Sequence, residues 1–106
     1  MRFGLEESVI SKTQAVLARF PAIMRAVIYG SRAKGNFKSG SDIDLTLYGD
    51  HLTSDMLLKV SMELDELNLP YTFDLSIFAK IENDGLRDHI HRVGKVFYEK
   101  SDQGYV

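Results

Sequence analysis

The chain predicts an α/β domain in which helices and strands interleave, and three observations predict it. Short apolar or alternating segments stand at 24–29, 42–48 and 71–78, and stretches with apolar residues every three or four positions stand before and between them. Turn-forming Gly, Pro, Ser and Asn separate one kind of segment from the other, with no internal repeat, low-complexity tract or interdomain linker.

Leu5, Val9, Thr13, Val16, Leu17 and Phe20 fall at steps of three and four, with Glu6, Glu7, Lys12 and Arg19 around the rest of the circumference. This predicts an amphipathic helix ending at Pro21. Met24 to Tyr29 is an apolar run rich in β-branched residues between Pro21 and Gly30, which suits a buried strand. A short helix is expected over Ser31 to Phe37, followed by turn chemistry at Lys38-Ser39-Gly40-Ser41.

In the second strand, Asp42 to Tyr48, Ile43, Leu45 and Leu47 share one face while Asp42, Asp44, Thr46 and Tyr48 share the other. Thr53 to Leu67 reads as a helix with Leu57, Val60, Leu64 and Leu67 on a core stripe, joined by Met56, and Thr53 or Ser54 as N-cap. Past Pro70, the strand Tyr71 to Phe78 alternates and puts Asp74 in its polar row. Asn83 or Asp84 caps a last helix carrying Leu86, Ile90 and Val93, with Gly94 as its C-terminal glycine. Lys95 to Glu99 is a final edge strand, and the polar tail Ser101 to Val106 is expected to fray.

Composition narrows the function classes. At 106 residues the chain fits one domain, too short for a separate substrate-recognition domain, so an acceptor would have to come from elsewhere. The apolar share of 44% and the charged share of 26% are those of a globular protein. A net charge of −2 supplies no global basic field for nucleic acid, which makes a nucleic-acid partner an unfavoured reading. The absence of cysteine removes disulfides, zinc-thiolate sites and thiol nucleophiles. No apolar run approaches the ~18 residues of a membrane span, and a cytoplasmic location is expected.

The chemistry concentrates at 30–44. Gly30-Ser31 opens a turn into a helix, whose free N–H groups suit phosphates, and Ser31 offers a hydroxyl. Ten residues later, Asp42 and Asp44 stand two apart on one strand face, where both carboxylates can serve a divalent cation such as Mg2+. Asp74 is a third acid, able to ligate a second metal and to orient or deprotonate an incoming hydroxyl. Two metals ~4 Å apart stabilise both oxygens of an in-line displacement at phosphorus. Arg32, Lys34 and Lys38 share the segment. Arg32 is open between a phosphate contact and a surface ion pair, and the lysines read as solvated charges. Gly35 and Gly40 read as turn glycines. His89 and His91 point away from each other on a helix, so a shared ion is not expected, and with His51 they read as surface or partner-contact residues. Tyr48, Phe78 and Tyr98 read as scattered exposed aromatics.

Gly30-Ser31-Arg32-Ala33-Lys34-Gly35 followed by Ser41-Asp42-Ile43-Asp44-Leu45 resembles the signature of the polymerase β-like nucleotidyltransferases, and most nearly their minimal members, the antitoxins found beside HEPN-domain toxins. Asp74 in Phe73-Asp74-Leu75 matches the third acid of that family, and Gly94 to Glu99 its closing segment, so the resemblance runs from about residue 23 to 100. The resemblance implies a nucleotidyltransferase core with a mixed β-sheet and helices packed on one face, of α/β (α+β) class. It implies catalytic and metal-binding Asp42, Asp44 and Asp74, with nucleotide contacts at Gly30, Ser31, Arg32 and Ser41. Magnesium, in two ions, is the implied cofactor and ATP the donor. The implied reaction moves AMP onto a hydroxyl, of a tyrosine, on a partner HEPN toxin. Two alternatives stay open: a non-catalytic antitoxin that occludes its partner, and a transferase acting on a small molecule or an RNA end.

Overall fold

Four strands and four helices follow one another in the computed structural model, which describes residues 2–38 and 40–100. The elements are α1 (Glu7–Ala18), β1 (Arg25–Tyr29), α2 (Ser31–Lys34), β2 (Ile43–Tyr48), α3 (Ser54–Asp65), β3 (Phe73–Ile77), a 3₁₀ turn (Phe78–Lys80), α4 (Asp84–Val93) and β4 (Lys95–Glu99). The four strands and four helices sit where the sequence pattern puts them, with ends unchanged or drawn in by up to three residues, and the 3₁₀ turn is an addition. Ser39 and the tail 101–106 lie outside the described residues. No described helix is long and apolar enough to cross a membrane.

The sheet has the order β3-β2-β1-β4. β1 pairs antiparallel with β2 and β4, whereas β2 and β3 run parallel, so the chain must cross over between them, which it does through α3. The sheet is therefore mixed, and β4 is an edge strand as its short, charged sequence suggests. A bulge at Ala26/Val27 shifts the β1–β4 register.

Ile43, Leu45 and Leu47 of β2 have no solvent exposure and meet Ala26 and Ile28 of β1, α1 through Ile10 and Leu17, and α3 through Val60 and Leu64. Thr13 enters this apolar face because its hydroxyl donates to the Val9 carbonyl one turn back (2.8 Å). Thr53 caps α3 by accepting from Met56 N–H, and Asn83 caps α4 by accepting from Leu86 N–H.

The implied packing of helices on one face holds for α1 and α3, with α2 joining the same core through Ala33, whereas α4 lies on the other face. β1 is apolar on both sides, and its Val27 and Tyr29 are covered by α4 through Ile90 and by Phe78. Thr46, in the polar row of β2, is buried there as well. Phe78 does not extend β3 as an exposed aromatic. It turns into the 3₁₀ segment and lies buried, stacked on Tyr48 (4.7 Å between centroids) and on His91 (5.3 Å), with the Arg87 guanidinium 4.3 Å from its ring centre. Gly94 ends α4 without the left-handed backbone of a C-terminal glycine (φ −63°). It is glycine because a Cβ there would overlap the Ile90 carbonyl oxygen and Val27 Cγ1, which lets the end of α4 lie against β1.

Candidate active site

Strand register builds the site. Tyr29 on β1 stands opposite Asp44 on β2, and Asp44 stands beside Asp74 on β3, so one row crosses three strands. Neighbouring strands run ~4.8 Å apart, which makes the two carboxylates close neighbours on a shared face. Asp42 lies two residues before Asp44 at the mouth of β2. Asp42 and Asp74 are exposed, whereas Asp44 is half-buried between them.

This arrangement perturbs the groups in the row. Burial, then the charge of Asp74, then that of Asp42 push the Asp44 carboxyl above the usual carboxylate range. Burial also raises the Tyr29 phenol, with Asp74 and Asp44 adding to the rise and the Ser76 hydroxyl partly offsetting it. Among the described residues, none of the three acids is in an ion pair. Nor does any group of three His, Cys, Asp or Glu side chains there gather tightly enough to hold a metal by itself. An all-oxygen donor set lacking counter-charge fits a hard cation that completes its shell with substrate phosphates and water.

At the end of β1 the chain turns sharply at Gly30 (φ 74°, ψ −154°), a conformation that side-chain-bearing residues avoid. A Cβ at this position would overlap Asp44 Oδ2. Gly30 is thus required twice, by its own backbone and by the acid that leans against it. Ser31 is the first residue of α2, and the N–H groups of Ser31, Arg32 and Ala33 precede any carbonyl that helical bonding could give them. They open beside the acidic row.

The structure brings Gly30, Ser31, Asp44 and Asp74 to one end of the sheet but takes the Arg32 side chain away from it. Arg32 is only 2% exposed. Its Nε and Nη2 both donate to the Ser41 carbonyl (3.0 and 2.8 Å), and Nη1 donates to the Phe3 carbonyl (2.9 Å). The rings of Phe37 and Tyr71 lie 5.2 and 5.0 Å from the guanidinium carbon. Arg32 therefore lacks the open surface of an ion pair, and three of its five N–H donors are taken by loop carbonyls. It clamps the loop that delivers Asp42. The Ser41 hydroxyl, for its part, accepts from Lys38 N–H (2.8 Å) and closes the same turn.

One residue read as a surface or partner contact also reaches the site. His89 Nε2 accepts from the Gly30 N–H (3.3 Å), and the His89 ring meets Tyr29 edge-on. Nothing local in the sequence signals this, because α4 and the turn are joined only by the fold. His91 faces Phe78 instead, so the two imidazoles meet different neighbours. A cleft of about 610 Å³ lies at the far end of the sheet, beside Arg25, Tyr48 and Lys100, and is separate from the acids.

A family model described as polymerase beta, nucleotidyltransferase, matches residues 11–103. Among curated proteins none matches the sequence. Of solved structures, a chain of a toxin-antitoxin complex with AMP-PNP superposes with a TM-score of 0.68 at 21% identity, covering 94% of this chain and 77% of that one. A chain of the tri-AMPylated Shewanella oneidensis HEPN toxin in complex with MNT antitoxin gives 0.67 at 16% identity, over 95% and 77%. A chain of a mutant MntA-HpeT toxin-antitoxin complex gives 0.66 at 22% identity, over 94% and 76%. At such identities the likeness shows the fold.

Proposed function

The chain belongs to the polymerase β nucleotidyltransferase family, and from that premise we propose that it transfers AMP from magnesium-bound ATP to a tyrosine hydroxyl of a partner HEPN toxin, acting as its antitoxin. The observation that carries this reading is the Asp44–Asp74 row, in no ion pair among the described residues, beside the glycine turn into α2. Similar chains in complexes with AMP-PNP and with an AMPylated HEPN toxin support the choice of donor and acceptor.

Asp42 and Asp44 would hold magnesium with the triphosphate, and Asp74 would ligate a second ion. Bound there, the ions neutralise phosphate charge and lower the barrier to displacement at phosphorus. The first-turn N–H groups of Ser31, Arg32 and Ala33 receive phosphate oxygens, and Gly30 lets the backbone approach. The acceptor oxygen bonds to the α-phosphorus as the bond from that phosphorus to the bridging oxygen breaks. Pyrophosphate departs, and the hydroxyl proton passes to Asp74. Asp74 is exposed on an edge strand of the sheet, open to an acceptor supplied by another chain.

The test is to incubate the purified chain with its HEPN partner, ATP and magnesium and to weigh the partner intact. Adenylyl adducts on a tyrosine are expected. A partner that is neutralised without any adduct would favour an antitoxin that merely occludes it, and adducts on a small molecule or RNA instead would reassign the acceptor.

A further inference from the structure

The Gly30 N–H has an unusual partner. It donates neither to backbone nor to a carboxylate but to the Nε2 of His89, 59 residues away in the chain. A second contact fixes the imidazole, whose plane stands at 81° to the Tyr29 ring with centroids 6.2 Å apart. The helix that carries it is seated independently, by Ile90 in the cluster with Val27 and Tyr29 and by Gly94 pressed against Val27. Since Nε2 accepts, geometry assigns the imidazole proton to Nδ1.

Resting on the nucleotidyltransferase reading above, we propose that His89 is a positioning residue for the nucleotide: its bond to Gly30 fixes the peptide against which Asp44 rests and from which the phosphate-facing turn begins. The geometry needs such an anchor. Gly30 occupies a region of backbone space that no other residue stabilises, and glycine left alone is free to leave it. Asp44 Oδ2 lies where a Cβ at residue 30 would be, so a shift of this peptide displaces the carboxylate or collides with it. Arg32, the nearest arginine in the turn, is committed to the Ser41 and Phe3 carbonyls. Recognition at this turn therefore falls on backbone shape, and His89 is what holds that shape from outside the motif.

Two variants test the proposal. His89→Ala removes the acceptor, whereas His89→Gln replaces it with an amide oxygen at about the same reach. In the free protein, the Gly30 amide is expected to exchange with solvent roughly 3- to 10-fold faster in His89→Ala, and to be restored in His89→Gln, the range expected for one net hydrogen bond. With magnesium and a non-hydrolysable ATP analogue, calorimetry should show a Kd raised by a similar factor in His89→Ala and recovered in His89→Gln. In turnover His89→Ala should raise the KM for ATP and lower kcat with it, since the Gly30 peptide and the Asp44 carboxylate shift together, and both should recover in His89→Gln. An unchanged Gly30 amide, or equal loss of affinity in both variants, would overturn the positioning role while the wild type still binds nucleotide. Failure of the wild type to bind the analogue would overturn the nucleotidyltransferase reading, and the proposal with it.

Discussion

Gly30 and Asp44 stand in such contact that position 30 has no room for a Cβ beside the carboxylate. A strand end and an acid from the neighbouring strand are thereby locked together, since Gly30 also takes a backbone conformation closed to other residues. Gly30→Ala is expected to destabilise the fold by about 1–3 kcal/mol, the usual cost of a residue forced into sparse backbone space. It should also lower AMP transfer by on the order of 10²-fold, as misplacement at a reacting centre does. Chemical denaturation and a transfer assay on the same preparation separate the two effects.

Arg32 makes a prediction of the opposite kind. Its guanidinium is buried, bonded to two carbonyls and flanked by two rings, with no acid as partner among the described residues. Arg32→Ala should cost about 2–4 kcal/mol of stability, because hydrogen bonds from a charged donor and a well-packed side chain are lost together. Arg32→Lys should recover little of it, since an ammonium cannot span both carbonyls in one plane. Urea denaturation without nucleotide is the measurement. A variant of wild-type stability with only a raised KM for ATP would show that Arg32 reaches phosphate.

The pH dependence follows from Asp44. Its folded-state pKa is raised, so the native state holds its proton more tightly than the unfolded chain does. The stability this gives is present at acid pH, below the ordinary aspartate range, and is lost as pH rises through the folded value. At neutral pH the ionised Asp44 therefore opposes folding. Asp44→Asn is expected to raise the Tm of the free protein at pH 7–8, by a margin that shrinks as the pH falls toward about 4. A catalytic acid kept at the expense of stability is the physical content of that result, and a Tm lowered at neutral pH would contradict it.

A cation should reverse this penalty. Magnesium at ten times its Kd would stabilise the wild type by about 1.4 kcal/mol through mass action, and should leave the Asp42→Asn/Asp44→Asn protein unchanged. Thermal unfolding across a magnesium titration, with a monovalent salt control at equal ionic strength, reads the difference.

Much of this was legible in the sequence. The elements announce themselves through period and punctuation, and Asp42, Asp44 and Asp74 through parity along their strands, because a strand fixes which side chains share a face. What parity cannot give is the register between strands that aligns Tyr29, Asp44 and Asp74, nor the covering of the second sheet face by α4. Arg32 sits in a motif that suggests phosphate, yet its direction is decided by Phe3, Phe37, Ser41 and Tyr71. Gly94 lies where a helix-ending glycine is expected but serves close packing of α4 on β1. His89 is the clearest case. Its role depends on a turn 59 residues away, and no local pattern distinguishes it from His91.

AMP transfer is tested most directly with ATP labelled at the α-phosphate, compared with ATP labelled at the γ-phosphate, in the presence of magnesium and the HEPN partner. The wild type is expected to place α-label on the partner and no γ-label, and the Asp42→Asn/Asp44→Asn protein, shown to be folded, is expected to place none. Equal α-labelling by the folded double variant, or no α-labelling of a competent partner by the wild type, would contradict it.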